Sequence, residues 1–210
     1  MKKQTLILGI SLIFTSSLFA GDLKYGFKAG LNYGGFSGNG NDVLKNSMGL
    51  GNQSQLGYGV GGHLEYQMTD ILSLFPEVNV VIRKSKGSKD VGSTTNESDI
   101  TQINLEVPIV LNYVALTNWN LYSGGYAGFN LSNHSSAKNS SGSFDLSIKQ
   151  NVDYGIILGS GYRLDKWVFD ARYVLGLSNF VKEVKFGSAT PQTNLDYKQS
   201  SIEFSAEYSF

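Results

Sequence analysis

The sequence predicts an all-β chain, an eight-stranded antiparallel up-and-down transmembrane β-barrel. Three observations carry this. Apolar and polar residues alternate with a period of two in eight separate segments, the connections between those segments alternate between short and long, and charged residues are only 16 % of the 210. Alternation of that period marks strands with one apolar face. Tight turns at one end and long loops at the other are the plan of a bacterial transmembrane barrel. Soluble domains carry charge on about a quarter of their residues.

The chain opens with Lys2 and Lys3, an apolar run from Leu6 to Phe14, the small polar Thr15, Ser16 and Ser17, and Ala20 before Gly21. This layout predicts an export signal over residues 1–20, leaving residues 21–210 as one barrel domain without an internal linker. The first strand follows. Leu23, Tyr25, Phe27, Ala29, Leu31, Tyr33 and Gly35 alternate with Lys24, Gly26, Lys28, Gly30, Asn32 and Gly34.

In the second strand Leu56, Tyr58, Val60, Gly62, Leu64 and Tyr66 oppose three glycines, His63 and Glu65. In the third, Leu72, Leu74, Pro76, Val78, Val80 and Ile82 oppose Ser73, Phe75, Glu77, Asn79, Val81 and Arg83. Ile103 to Tyr113 set their odd-numbered residues against Asn104, Glu106, Pro108, Val110 and Asn112. Pro108 removes a backbone donor from a paired strand, so a bulge or an unpaired carbonyl is expected there. Leu121 to Leu131 form a fifth strand whose face the pattern leaves open.

Val152, Tyr154, Ile156 and Leu158 oppose Asp153, Gly155, Gly159 and, further on, Arg163. Trp167, Phe169, Ala171, Tyr173, Leu175 and Leu177 oppose Asp170 and Arg172 among others, and Ile202, Phe204, Ala206, Tyr208 and Phe210 oppose Glu203 and Glu207. Short turns are expected at 67–70, 115–118 and 164–166. Long loops are expected at 37–54, 85–99, 132–150 and 179–199, all rich in Gly, Ser, Asn and Lys.

A soluble barrel also alternates, with its apolar side inward. Here the polar sides are crowded with glycine and a few ions, too small and too sparsely charged for a solvated exterior. They suit a narrow lumen. Aromatic residues gather near strand ends: Tyr66, Tyr113, Trp119, Trp167, Tyr208 and Phe210 toward the short turns, and Tyr33, Phe36, Tyr58 and Phe129 toward the loops. Such rings suit a headgroup boundary.

The chain has no cysteine, and its 17 basic residues equal its 17 acidic ones. Thiolate metal sites, thiol nucleophiles and disulfides are therefore excluded, and a neutral chain has no field to gather nucleic acid. No cofactor and no metal are expected.

Tyr208 and the final Phe210 fall on one face, and the ending is similar to the C-terminal signal by which outer-membrane barrels reach their assembly machinery. The stretches Leu74-Phe75-Pro76-Glu77, Leu105-Glu106-Val107-Pro108, Ala171-Arg172-Tyr173 and Gly176-Leu177-Ser178 resemble the PorT-type outer-membrane β-barrel family. The resemblance extends over nearly all of residues 21–210. It implies a barrel in the bacterial outer membrane, with the lipid bilayer and the assembly machinery as partners, and no single activity.

The polar faces bring together Lys24, Lys28, Arg83, Arg163 and Arg172 with Glu65, Glu77, Glu106, Asp153, Asp170, Glu203, Glu207 and His63. Such a set could form an ion path or an acid/base pair. A mutually neutralising plug is the stronger expectation, because buried charges persist when paired and a water-filled pore needs more strands. His134-Ser135-Ser136 is similar to the His and Ser spacing of lipid A deacylases. It falls in a Ser-rich loop with Asp145 as the nearest acid, which favours chance over the geometry a triad requires.

The function expected is non-enzymatic, a monomeric barrel presenting four long loops to an extracellular contact in a structural or adhesion role. A narrow or gated transport protein is the alternative, and a lipid A-modifying hydrolase a minor one.

Overall fold

The computed structural model describes residues 23–37, 54–91, 94–139, 142–150, 152–179, 181–186, 192–193 and 198–210. The expected signal at 1–20 and nearly all of the loop expected at 37–54 lie outside the described residues. No helix occurs among the described residues.

Eleven strands are present among the described residues: β1 (Leu23–Ser37), β2 (Ser54–Thr69), β3 (Leu72–Val91), β4 (Thr94–Leu116), β5 (Trp119–Asn139), β6 (Gly142–Gln150), β7 (Asp153–Leu164), β8 (Trp167–Gly176), β9 (Val181–Phe186), β10 (Gln192–Thr193) and β11 (Lys198–Ser209). Eight of them close a ring. Each of β1 to β5 pairs with the next, β5 pairs with β7, β7 with β8, β8 with β11, and β11 returns to β1, antiparallel throughout. Closure gives the backbone of the wall its partners within the protein, which a segment in hydrocarbon requires.

The three short turns shrink to two residues each, Asp70–Ile71, Thr117–Asn118 and Asp165–Lys166. Asp165 has φ 54°, a left-handed conformation that Asp adopts more readily than most residues.

At the other end the expected loops are corrected. β3 and β4 continue paired to Val91 and Thr94, β5 runs to Asn139, and β6, β9 and β10 extend the sheet outward in that order. The reason is physical. A ladder is made by backbone groups and needs no apolar face, so it persists through Ser88, Lys89, Thr95 and Asn96 while apolar alternation, the sequence signal for a strand, disappears.

Of the two outcomes expected at Pro108, a bulge or an unpaired carbonyl, no bulge forms and the ladder to β3 is interrupted instead. Pro108 stays in register with Tyr126 on β5, while pairing to β3 lapses at Val107 and Pro108 and resumes unshifted at Glu106. Pro76 coincides with a matching lapse between β2 and β3, at Leu64 and Glu65. In each case a missing N–H interrupts the ladder without changing which side chains face inward.

The fifth strand is resolved by a bulge. Ile103 pairs with Ser132 and Asn104 with Asn130, so Leu131 is the extra residue. Below it Leu121 and Phe129 face outward while Asn120, Tyr122 and Tyr126 are buried inward.

Candidate functional site

The lumen is the candidate site, and its chemistry follows from which face each strand turns inward. On β3, Phe75, Glu77, Val81, Arg83 and Ser85 are buried, whereas Val78 and Val80 are exposed on the outside. The same division holds on β8, where Val168, Asp170, Arg172 and Val174 are buried and Trp167, Phe169, Tyr173 and Leu175 are exposed.

At the centre stands Arg172, 2 % exposed. Its Nη1 donates to Glu77 Oε1 at 2.5 Å and its Nη2 to Glu207 Oε1 at 2.6 Å. Its Nε lies 3.0 Å from Asp170 Oδ1 without the alignment of a hydrogen bond. Lys28 Nζ approaches the same two glutamates, 3.5 Å from Glu77 Oε2 and 3.4 Å from Glu207 Oε1. Ser205 Oγ donates to Asp170 at 2.8 Å. A buried group this densely paired avoids most of the cost of an isolated charge.

Two further groups flank the centre. Toward the loop end Arg83 Nη1 donates to Glu106 Oε1 at 2.5 Å, and its Nη2 is 3.7 Å from Glu203 Oε1. Asp153 accepts from Tyr126 Oη at 2.8 Å and from Ser178 Oγ at 2.6 Å. Toward the turn end Arg163 Nη2 donates to Glu65 at 3.2 Å, and Ser73 Oγ also donates to Glu65. His63 Nε2 lies 3.3 Å from Ser209 Oγ and its ring packs beside Phe75.

Twelve of the thirteen ionisable residues expected in the lumen are thus placed in these groups or beside them. Lys24 is the exception. It is half-buried opposite Glu65 in the β1–β2 register and makes no ion pair among the described residues.

Apolar residues share the lumen, and among them Tyr122 and Tyr126 lie on the strand whose face the alternation leaves open. Phe75, Val110, Tyr122, Tyr126, Ile157, Val168 and Val174 form one buried cluster on the walls from β3 to β8. Glycine makes the room: a Cβ on Gly155 would meet Tyr126 Cε1 at 2.7 Å, and one on Gly161 would meet Tyr122 Oη at 2.8 Å. The signal was present as glycines on β7 facing tyrosines on β5, visible only once the two strands are known to pair. The Tyr122 ring also covers the guanidinium of Arg172, 4.9 Å from its centroid. A side chain in that arrangement is held by charge and by stacking together.

Between the central and loop-end groups a cavity of about 30 Å³ is lined by Lys28, Asn32, Asn79, Glu106 and Glu203 among others. That is space on the scale of one or two waters.

Outside the lumen, His134 lies on β5 rather than in a loop, exposed and opposite Thr101. Ser136 stands opposite Asp99 on β4 and Asp145 on β6. The side chains of Phe36, Ser135, Ser136 and Asp145 lie outside the described residues. Tyr25, Phe27, Trp167, Tyr208 and Phe210 form a continuous ring-to-ring cluster on the outer wall beside the chain end.

Residues 15–182 match the family described as outer membrane protein beta-barrel domain. Among solved structures the chain is similar to Neisserial surface protein A at 14 % identity, with 89 % of this chain and 97 % of that chain covered and a TM-score of 0.51. It also matches Ail, the attachment invasion locus protein of Yersinia pestis, at 13 % identity, covering 89 % and 98 % of the two chains with a TM-score of 0.44. No curated protein sequence matches it.

Proposed function

The chain belongs to the outer membrane protein beta-barrel domain family and resides in a bacterial outer membrane, and from that premise we propose that it is a non-enzymatic, monomeric scaffold that carries a β-sheet ridge into the extracellular space for contact with another surface. The observation that carries this reading is the length of β3 and β4, 20 and 23 residues. A strand crosses a bilayer with about 9–11 residues. The remainder of this hairpin, with β6, β9 and β10 beside it, is backbone committed to a structure beyond the lipid.

The lumen supports the same division of labour. Lys24 apart, its charged groups are engaged with each other or with neighbouring hydroxyls, and large side chains cross the axis from opposite walls, so the barrel serves as an anchor. The finer kinship with PorT-type barrels, carried by the stretches around Pro76, Pro108 and Arg172, is part of this proposal, as is delivery through the assembly machinery by way of Tyr208 and Phe210.

Single-channel recording in planar bilayers tests it against the transport reading. The purified barrel is expected to leave the bilayer silent at moderate voltage. Reproducible ohmic steps would reject the anchor reading in favour of permeation.

A further inference from the structure

The outward row of residues just above the apolar band differs from one side of the barrel to the other. On β3 the outward residues from Leu72 to Ile82 are apolar. This run covers about 33 Å along the strand, or about 25 Å of height at a tilt of about 40°, which is the thickness of the lipid-facing band of such barrels. The next two outward positions are Lys84 and Lys86, both exposed.

Lys84 pairs with Thr101 on β4, and Thr101 pairs with His134 on β5. Directly opposed residues share a face. The bulge at Leu131 is what turns His134 outward, so the row Lys84, Thr101, His134 crosses three adjacent strands within about 10 Å. Lys86 is 3.9 Å from Asp99, both largely exposed, whereas Lys84 has no ion-pair partner among the described residues. Where β2, β1, β11 and β8 leave the apolar band, the first outward residues are Ser54, Gly35, Ser200 and Asn179, none of them charged, and on β11 a lysine, Lys198, follows one outward position higher.

We propose that this face of β3 to β5 binds the phosphate headgroup of a membrane lipid in the outer leaflet. The Lys84 and Lys86 ammonium groups supply charge, and the Thr101 hydroxyl and the His134 ring supply hydrogen-bond donors. A phosphate offers several acceptor oxygens to such donors. Ile82 and Ile103, one outward position below, offer the acyl chains an apolar wall. A lipid rather than free phosphate is the occupant because the row sits where the band meets the headgroup layer. Asp99 limits the site from above and disfavours an anion placed further from the membrane.

The test uses the full chain refolded in zwitterionic micelles and native mass spectrometry of lipid adducts, with long-chain phosphatidic acid and phosphatidylcholine as probes. One phosphatidic acid is expected to stay bound where phosphatidylcholine does not. Lys84→Ser and Lys86→Ser should each weaken retention about five-fold, with Lys84→Arg close to the parent and Lys166→Ser, at the short-turn end, unchanged. Equal retention of the two lipids by the parent chain overturns the proposal without recourse to any variant. So does an undiminished adduct in the folded Lys84→Ser, Lys86→Ser double variant, with folding verified by heat-modifiable migration. Displacement of the lipid by inorganic phosphate at equal concentration would make the site one for free anions and overturn the lipid assignment.

Discussion

Arg172 concentrates the energetics of the lumen in one side chain. Three carboxylates, those of Glu77, Glu207 and Asp170, lie within 3.0 Å of its guanidinium nitrogens. The planar fork reaches them in three directions, which a single ammonium on a flexible stem cannot. Arg172→Met would leave these acids facing Lys28 alone, and removing one partner of a buried ionic group costs about 3–5 kcal/mol. The expected outcome is a marked fall in the urea midpoint of the folded barrel, followed by gel mobility, with Arg172→Lys between parent and Met. Lys86→Met removes a charge of the same sign from an exposed pair and is expected to lower the unfolding free energy drawn from that midpoint by no more than about 1 kcal/mol. A comparable loss at both positions would show that the central ions are hydrated in the folded state and that the lumen is open to water.

At the scale of elements, the β3–β4 hairpin is two structures joined end to end. Its lower part, up to Lys86 and Asp99, has paired strands on both flanks, and its inward face is buried as far as Ser85 and Ile100. The upper part, residues 87–91 and 94–98, pairs within the hairpin and at 97–98 with β5, beyond the last β2 partner, Ser54. Joining Lys86 to Asp99 through a two-residue Asn-Gly turn, the connection that suits a hairpin twist, is therefore expected to preserve the heat-modifiable barrel with a nearly unchanged urea midpoint, measured on the same gels. Loss of the folded band would mean that the ridge nucleates the barrel. The two halves also differ in how legible they were. Leu72 to Arg83 announced a strand and its inward face because lipid on one side and a lumen on the other impose a period of two. Residues 85–99 read as a loop because their Lys, Ser, Thr and Asn carry no alternation of apolar with polar, the signal by which a strand is legible. The face of β5 was hidden for another reason: Tyr122 and Tyr126 are aromatic, as lipid-facing residues are, and only the glycines of the paired β7 make their inward placement possible. In the lumen the ionisable residues could be read one by one from strand parity, whereas their partition into three groups depended on register between strands remote in sequence, as in the contact of Glu65 with Arg163.

At the scale of the whole molecule, one reversal sets this barrel apart from a soluble one: its polar residues are enclosed and its large apolar residues are outside. Leu31, Val60, Ile109 and Leu158, on four different strands, are between 55 % and 62 % exposed. Such a belt of uncovered apolar surface, far larger than a soluble monomer tolerates, is stable when hydrocarbon takes the place of water against it. The chain contains no cysteine, so a single introduced thiol reports on one site without background. Leu31→Cys, Val60→Cys, Ile109→Cys and Leu158→Cys in bilayer-inserted protein are expected to resist a water-soluble maleimide until the sample is heated in detergent. Lys86→Cys and His134→Cys, on the outward face above the band, are expected to react at once. The contrast matters more than either rate, because the two sets share an outward orientation and comparable exposure and differ only in height along the barrel. Reaction of the first set as fast as the second would place water against the apolar wall. The lipid-facing assignment, and with it the anchoring role drawn from the enclosed ions, would then fail together.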